Sequence, residues 1–177
     1  MTQKQFDGLG RVSSARFSPC RTWRYTLTRT WDLSRPGIAF VGLNPSTADE
    51  KENDPTIRRV IDFAKCWGYG EVVMLNLFAF LSTDPKGLHT AIDPVGPEND
   101  KWIKAVVTYS QAVCVAWGAH CHPLIKSRGD LVLWMIPAPR CLGTTKGGSP
   151  RHPLYVPGTH PLVDYPLESP PTKAGDA

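Results

Sequence analysis

Three apolar runs constrain what this chain can fold into. They are Gly37–Leu43 ("GIAFVGL"), Glu71–Phe78 ("EVVMLNLF") and Ala112–Gly118 ("AVCVAWG"). None alternates polar with apolar residues. Continuous runs of this length read as strands buried on both faces, which is the pattern of a parallel sheet. Helical patterns lie between them. In "DPTIRRVIDFAKCWGYG", Asp54 is a good N-cap and Pro55 suits the first helical position. Ile57, Val60, Ile61 and Ala64 fall on one face, and Gly68 marks the stop. "PENDKWIKAVVTYS" reads as the second main helix.

Alternating strands and helices predict an α/β fold: a three-layer α/β/α sandwich around a central, mainly parallel sheet of about four strands. "WRYTLTRTW" (Trp23–Trp31) is read as an edge strand, "DLVLWMI" as a short helix and "PRCLGT" as a last short strand. Residues 1–177 are read as a single domain. The basic segment 1–22 and the Pro-rich tail 165–177 are expected to be frayed.

Composition limits the class. Hydrophobic residues make up 41% and charged residues 20%, as in ordinary soluble domains. No apolar run is long enough to cross a membrane, and the N-terminus lacks the apolar stretch of a secretory signal, so a cytoplasmic protein is expected. The five cysteines form no C-x-x-C pair. They are read as small core residues, and no metal or other cofactor is expected. Residues 1–35 carry net charge +5 and residues 121–160 carry +4, whereas residues 43–54 carry −3. Two basic segments brought together suit a phosphate-bearing partner, either nucleic acid or a nucleotide.

In parallel sheets, sites form beyond the carboxyl ends of the strands. That rule selects Asn44-Pro45-Ser46, Asn76-Leu77-Phe78 and Trp117-Gly118-Ala119-His120. A carboxamide at Asn44 can orient a water by accepting its hydrogen bond, but it is a poor base. Pro45 fixes the turn that holds it. Asn76, inside an apolar strand, offers a donor and an acceptor side by side and so matches the edge of a base; it also suits a structural tie between loops. Phe78 is placed to stack a planar ligand or to fill the core. Asp49 is a candidate base in the acidic loop. In "TKGGSPRHPLYVPGTHP", Lys146, Ser149 and Arg151 suit phosphates, and Leu154 or Tyr155 suits a wedge in a base stack. His-Pro-Leu occurs at His122, His152 and His160.

The series "VGLNPS", "VVMLNLF", "CVAWGAH" and "RHPLY" resembles the motif order of the uracil-DNA glycosylase superfamily. It is nearest to the mismatch-specific branch. The longer strings "LNPSTADEKENDPTIRR", "DPVGPEND" and "PRHPLY" also resemble a bacterial and phage family known as a domain of unknown function, over about residues 23–157. The superfamily resemblance implies its fold and cleavage of the N-glycosidic bond of a flipped base. It implies that Asn44 positions water, Asn76 reads the base edge and His152 hydrogen-bonds the departing base. The more active members carry a carboxylate where this chain has Asn44. The alternatives are a hydrolase or transferase acting on a free nucleotide or nucleoside, and a non-catalytic nucleic-acid-binding module.

Overall fold

An eight-stranded mixed sheet forms the centre of the fold, in the order β1-β2-β3-β5-β4-β6-β7-β8. The structure, a computed structural model, describes residues 3–6, 12–46, 48–49, 51–84 and 87–167. Its strands are β1 (Gln3–Phe6), β2 (Val12–Phe17), β3 (Arg24–Thr30), β4 (Gly37–Gly42), β5 (Glu71–Asn76), β6 (Ala112–Val115), β7 (Pro139–Cys141) and β8 (Val163–Asp164). The helices are α1 (Pro55–Cys66), α2 (Gly87–Thr90), α3 (Asn99–Tyr109) and α4 (Pro123–Leu133).

The expected parallel core is present. Strands β5, β4, β6 and β7 pair in parallel. The sheet is nevertheless twice the expected width, because β1, β2 and β3 add antiparallel strands on one side and β8 on the other. Strand β3 is therefore internal, not an edge: it lies between β2 and β5. Part of the segment expected to be frayed, within 1–22, is strand instead. The Pro-rich tail is tied down at its start, where the Tyr165 amide donates to the Pro139 carbonyl at 2.9 Å. Residues 168–177 of the tail lie outside the described residues.

Period-two alternation within the buried strands sends successive side chains to opposite faces. Ile38 and Phe40 of β4 pack with Ile57, Val60 and Phe63 of α1. Ala39 and Val41 pack on the other face with Ile103 and Val106 of α3 and Ile125 and Val132 of α4. Helices thus cover both faces, which explains why these strands carry no polar alternation. Helix α1 begins as its sequence dictates. Asp54 Oδ1 accepts from the Ile57 amide at 2.8 Å, Pro55 follows, and Gly68 beyond the end has φ of +85°. Helix α4 starts at Pro123, ahead of the expected "DLVLWMI", which contains only its last turn.

Two of the five cysteines, Cys114 and Cys141, are in the core as expected. Cys20, Cys66 and Cys121 are exposed, which corrects the reading of all five as core residues.

Candidate active site

The chain leaves β4 towards β5 on one side, and β6 pairs along the other edge of β4. Adjacent strands with connections running opposite ways leave a crevice at their carboxyl ends. A cleft of 570 Å³ lies there, lined by Gly42 at the end of β4, Leu43 and Asn44 just beyond it, Asn76 at the end of β5, and Trp117, Gly118 and His120 after β6. The N-terminus of α1 contributes Asp54 and Thr56, and the loop before the last strand contributes Thr145, Arg151, His152 and Tyr155. Segments far apart in sequence converge because every one of them ends at the same edge of the sheet.

Asn44 is held by two backbone carbonyls. Its Nδ2 donates to Pro45 O at 3.1 Å and to Ser82 O at 2.8 Å. Both partners can only accept, so the amide orientation is fixed. Both N–H groups are used, and Oδ1 has no partner among the described residues. Asn44 is thus a tie between two loops and also a fixed acceptor on the cleft.

Asn76 is 2% exposed and lines the cleft, yet its side chain makes no hydrogen bond among the described residues. Its amide atoms are not sealed in the interior but open onto the cleft, where a ligand or water can pair with them. Its backbone is clamped from behind. Asn99 Nδ2 donates to the carbonyls of Asn76 and Leu77, each at 3.1 Å. Arg128 Nε donates to Leu77 O at 2.9 Å, and its Nη2 pairs with Asp100. Gly42 leaves room beside it: a Cβ there would lie 2.5 Å from Met74 Cε and 3.0 Å from Asn76 Oδ1.

His152 enters the cleft from a short 3₁₀ turn, Pro153–Tyr155, which it caps by accepting from the Leu154 amide on Nδ1 at 3.3 Å. His122 caps α4 in the same way, by accepting from the Leu124 amide at 3.2 Å. The repeated His-Pro-Leu is thus a capping device at both places. Proline has no N–H, so the first amide available to the cap is two residues on. Burial lowers the His152 pKa, His120 nearby lowers it further, and Asp54 opposes them. Gly118, at φ +84°, allows close approach: a Cβ there would lie 3.3 Å from His152 Cβ. His120 Nε2 lies 3.0 Å from the Trp117 carbonyl.

Of the residues expected at the rim or in the basic loop, Asn44, Ser46, Asn76, Trp117, Gly118, Ala119, His120, Arg151, His152 and Tyr155 line the cleft. The others do not. Asp49 turns its carboxylate back on its own loop, accepting from the amides of Lys51 and Glu52 at 2.7 and 2.8 Å. Those bonds lower its pKa, so it is no base for this site. Phe78 is fully buried in the core and stacks nothing in the cleft. Pro45 is buried and acts through its carbonyl, which accepts from Ser82 N. Lys146 and Ser149 belong to a tight turn in which the Thr145 amide donates to Ser149 O at 2.8 Å. Leu154 is exposed beside the cleft, whereas Tyr155 at its mouth is 83% exposed and tilts against His152 with ring centroids 5.6 Å apart.

The cleft also holds residues that the linear sequence did not single out. Arg24, 2% exposed on β3, donates to the Ala48 carbonyl and lines the wall. An arginine within the β-rich run "WRYTLTRTW" was the available signal; its burial appears only in the structure. His120 was visible only as a residue at a strand end. Nothing in the linear pattern pairs Asn99 or Arg128 with the Asn76 backbone.

The model of the family described as protein of unknown function (DUF1643) matches residues 24–154. No curated protein and no solved structure matches the chain.

Proposed function

The chain belongs to the DUF1643 family, and we propose that its cleft receives a base flipped out of DNA and hydrolyses the N-glycosidic bond of that base. The observation that carries this reading is the Asn76 carboxamide, buried in the cleft with both its donor and its acceptor unused by the described residues. A planar base edge with the complementary pattern satisfies both at once. Around it, Asn44 Oδ1 is a fixed acceptor for water. His152, its Nδ1 engaged by an N–H, directs a donor at a departing base. Preorganised donors of this kind stabilise charge as it develops on the leaving group. Exposed Tyr155 and Arg151 at the mouth suit the nucleic acid around the flipped base. The uracil-DNA glycosylase-like fold expected from the motif order belongs to this same proposal.

The test is incubation with duplex and single-stranded oligonucleotides carrying a panel of modified bases, followed by scoring of abasic sites. Abasic sites are expected with the native protein and not with Asn76→Leu. A native protein that neither binds nor cleaves any of them overturns the proposal.

The second reading is a hydrolase or transferase acting on a free nucleotide or nucleoside. Its support is volume. At 570 Å³ the cleft lies within the roughly 300–1,000 Å³ range of small-molecule sites and has room for sugar and phosphate besides a base. Under this reading, mononucleotides bind and salt-dependent DNA affinity is absent.

A further inference from the structure

Backbone groups of opposite character hold the two imidazoles of the cleft. His120 Nε2 lies 3.0 Å from the Trp117 carbonyl. A carbonyl only accepts, so that nitrogen carries a proton, and in the neutral ring Nδ1 is left with a bare lone pair. His152 is the reverse. Its Nδ1 accepts from the Leu154 amide, so the proton of its neutral ring sits on Nε2. One ring is therefore set as a proton acceptor and the other as a donor, and both line the same cleft.

The cleft needs such an acceptor. Asn44 is not a base, because an amide oxygen binds a proton too weakly. Asp54 is the sole carboxylate lining the cleft among the described residues, and its Oδ1 is engaged in capping α1.

We infer that His120 is the general base of the site, taking through Nδ1 a proton from a water whose other proton is accepted by Asn44 Oδ1. The inference rests on the N-glycosidic reading above. The step balances as follows. The water oxygen bonds to the anomeric carbon, and the carbon–nitrogen bond breaks. Its electron pair leaves with the base, which accepts a hydrogen bond from His152 Nε2. The water proton passes to His120 Nδ1, from which it returns to the departed base or to solvent. The charged and titratable groups that line the cleft with His120, among the described residues, are Arg151, His152 and Tyr155 of the 143–155 loop, Asp54 at the N-terminus of α1 and Arg24 of β3.

Two measurements test this. Long-range ¹⁵N–¹H spectra of the native protein at neutral pH report each ring directly: His120 is expected protonated on Nε2, and His152 likewise on Nε2. A His120 ring with its proton on Nδ1 overturns the inference, with no variant needed. Single-turnover cleavage of the substrate found in the oligonucleotide panel is the second. His120→Gln is expected to slow cleavage about 10²–10⁴-fold, with substrate affinity within about twofold. Asp54→Asn is expected to slow it far less. An active native protein with an equally active His120→Gln overturns the role of His120 alone, and so does a loss of rate confined to Asp54→Asn. A native protein that cleaves no base overturns the glycosidic reading together with this one.

Discussion

The Asn44 amide nitrogen lies 2.8 Å from the carbonyl oxygen of Ser82, a residue 38 positions further along the chain. The loops that follow β4 and β5 are joined at this point, and a second bond to Pro45 O completes the donor set of the amide. The position requires N–H groups, which explains why an amide and not a carboxylate stands there.

Asn44→Asp is accordingly expected to behave unlike a repair of the active site. A carboxylate would face two carbonyl oxygens, leaving Ser82 O without its donor and Pro45 O with the Ser82 amide alone. The cost is about 1–3 kcal/mol of stability, read from urea unfolding, with no gain in cleavage rate. A faster Asn44→Asp enzyme of native stability would contradict the assigned geometry.

Asn76→Leu separates binding from folding. The side chain makes no bond within the described protein, so an apolar replacement removes no internal partner. Thermal melting is expected to stay level or rise, while ligand affinity falls at least about tenfold, the worth of one hydrogen bond of about 1.4 kcal/mol. A large drop in melting temperature would show that the amide serves the fold instead.

The clamp behind Asn76 is expected to show the opposite behaviour. Arg128→Met leaves the Leu77 carbonyl and the half-exposed Asp100 without their guanidinium. Loss of about 2–3 kcal/mol in urea unfolding follows. Asn99→Ala removes the donor shared by Asn76 O and Leu77 O, with a loss of about 1–3 kcal/mol.

His152 predicts a pH dependence of defined sign. Burial, aided by His120, lowers its pKa in the folded chain below the ordinary histidine value of about 6.5. As pH falls, the unfolded chain therefore takes up that proton first. Stability from the neutral ring is fully present above the unfolded value and is lost as pH drops from there through the folded value. An NMR titration is expected to place its midpoint under about 6.5. The unfolding midpoint in urea should decline less over this window in His152→Gln than in the native chain.

Much of the architecture was legible in the linear pattern. Gly37–Leu43 and Glu71–Phe78 announced buried parallel strands, and Asp54-Pro55 announced the start of α1, because side-chain periodicity and capping are local properties. The width of the sheet was not legible. "WRYTLTRTW" alternates, and alternation looks the same on an edge strand as on an internal strand in a sheet that extends past its helices. Phe78 followed a similar logic: an aromatic after a buried strand reads alike whether it stacks a ligand or fills the core, and here it fills the core. Asp49 carried a plausible charge in a plausible loop, but two nearby amides claimed its carboxylate.

By itself the sequence determined that Asn44, Asn76 and His120 stand at the ends of three buried strands, since strand ends follow from apolar runs and the rim follows from parallel pairing. Only the tertiary structure decided what each group at that rim is free to do. The Asn44 donors are spent on Pro45 and on distant Ser82, and the Asn76 amide is left unpaired among the described residues. A hydrogen bond depends on partners within about 3.5 Å, and for Asn44 and Ser82 folding alone brings those partners together.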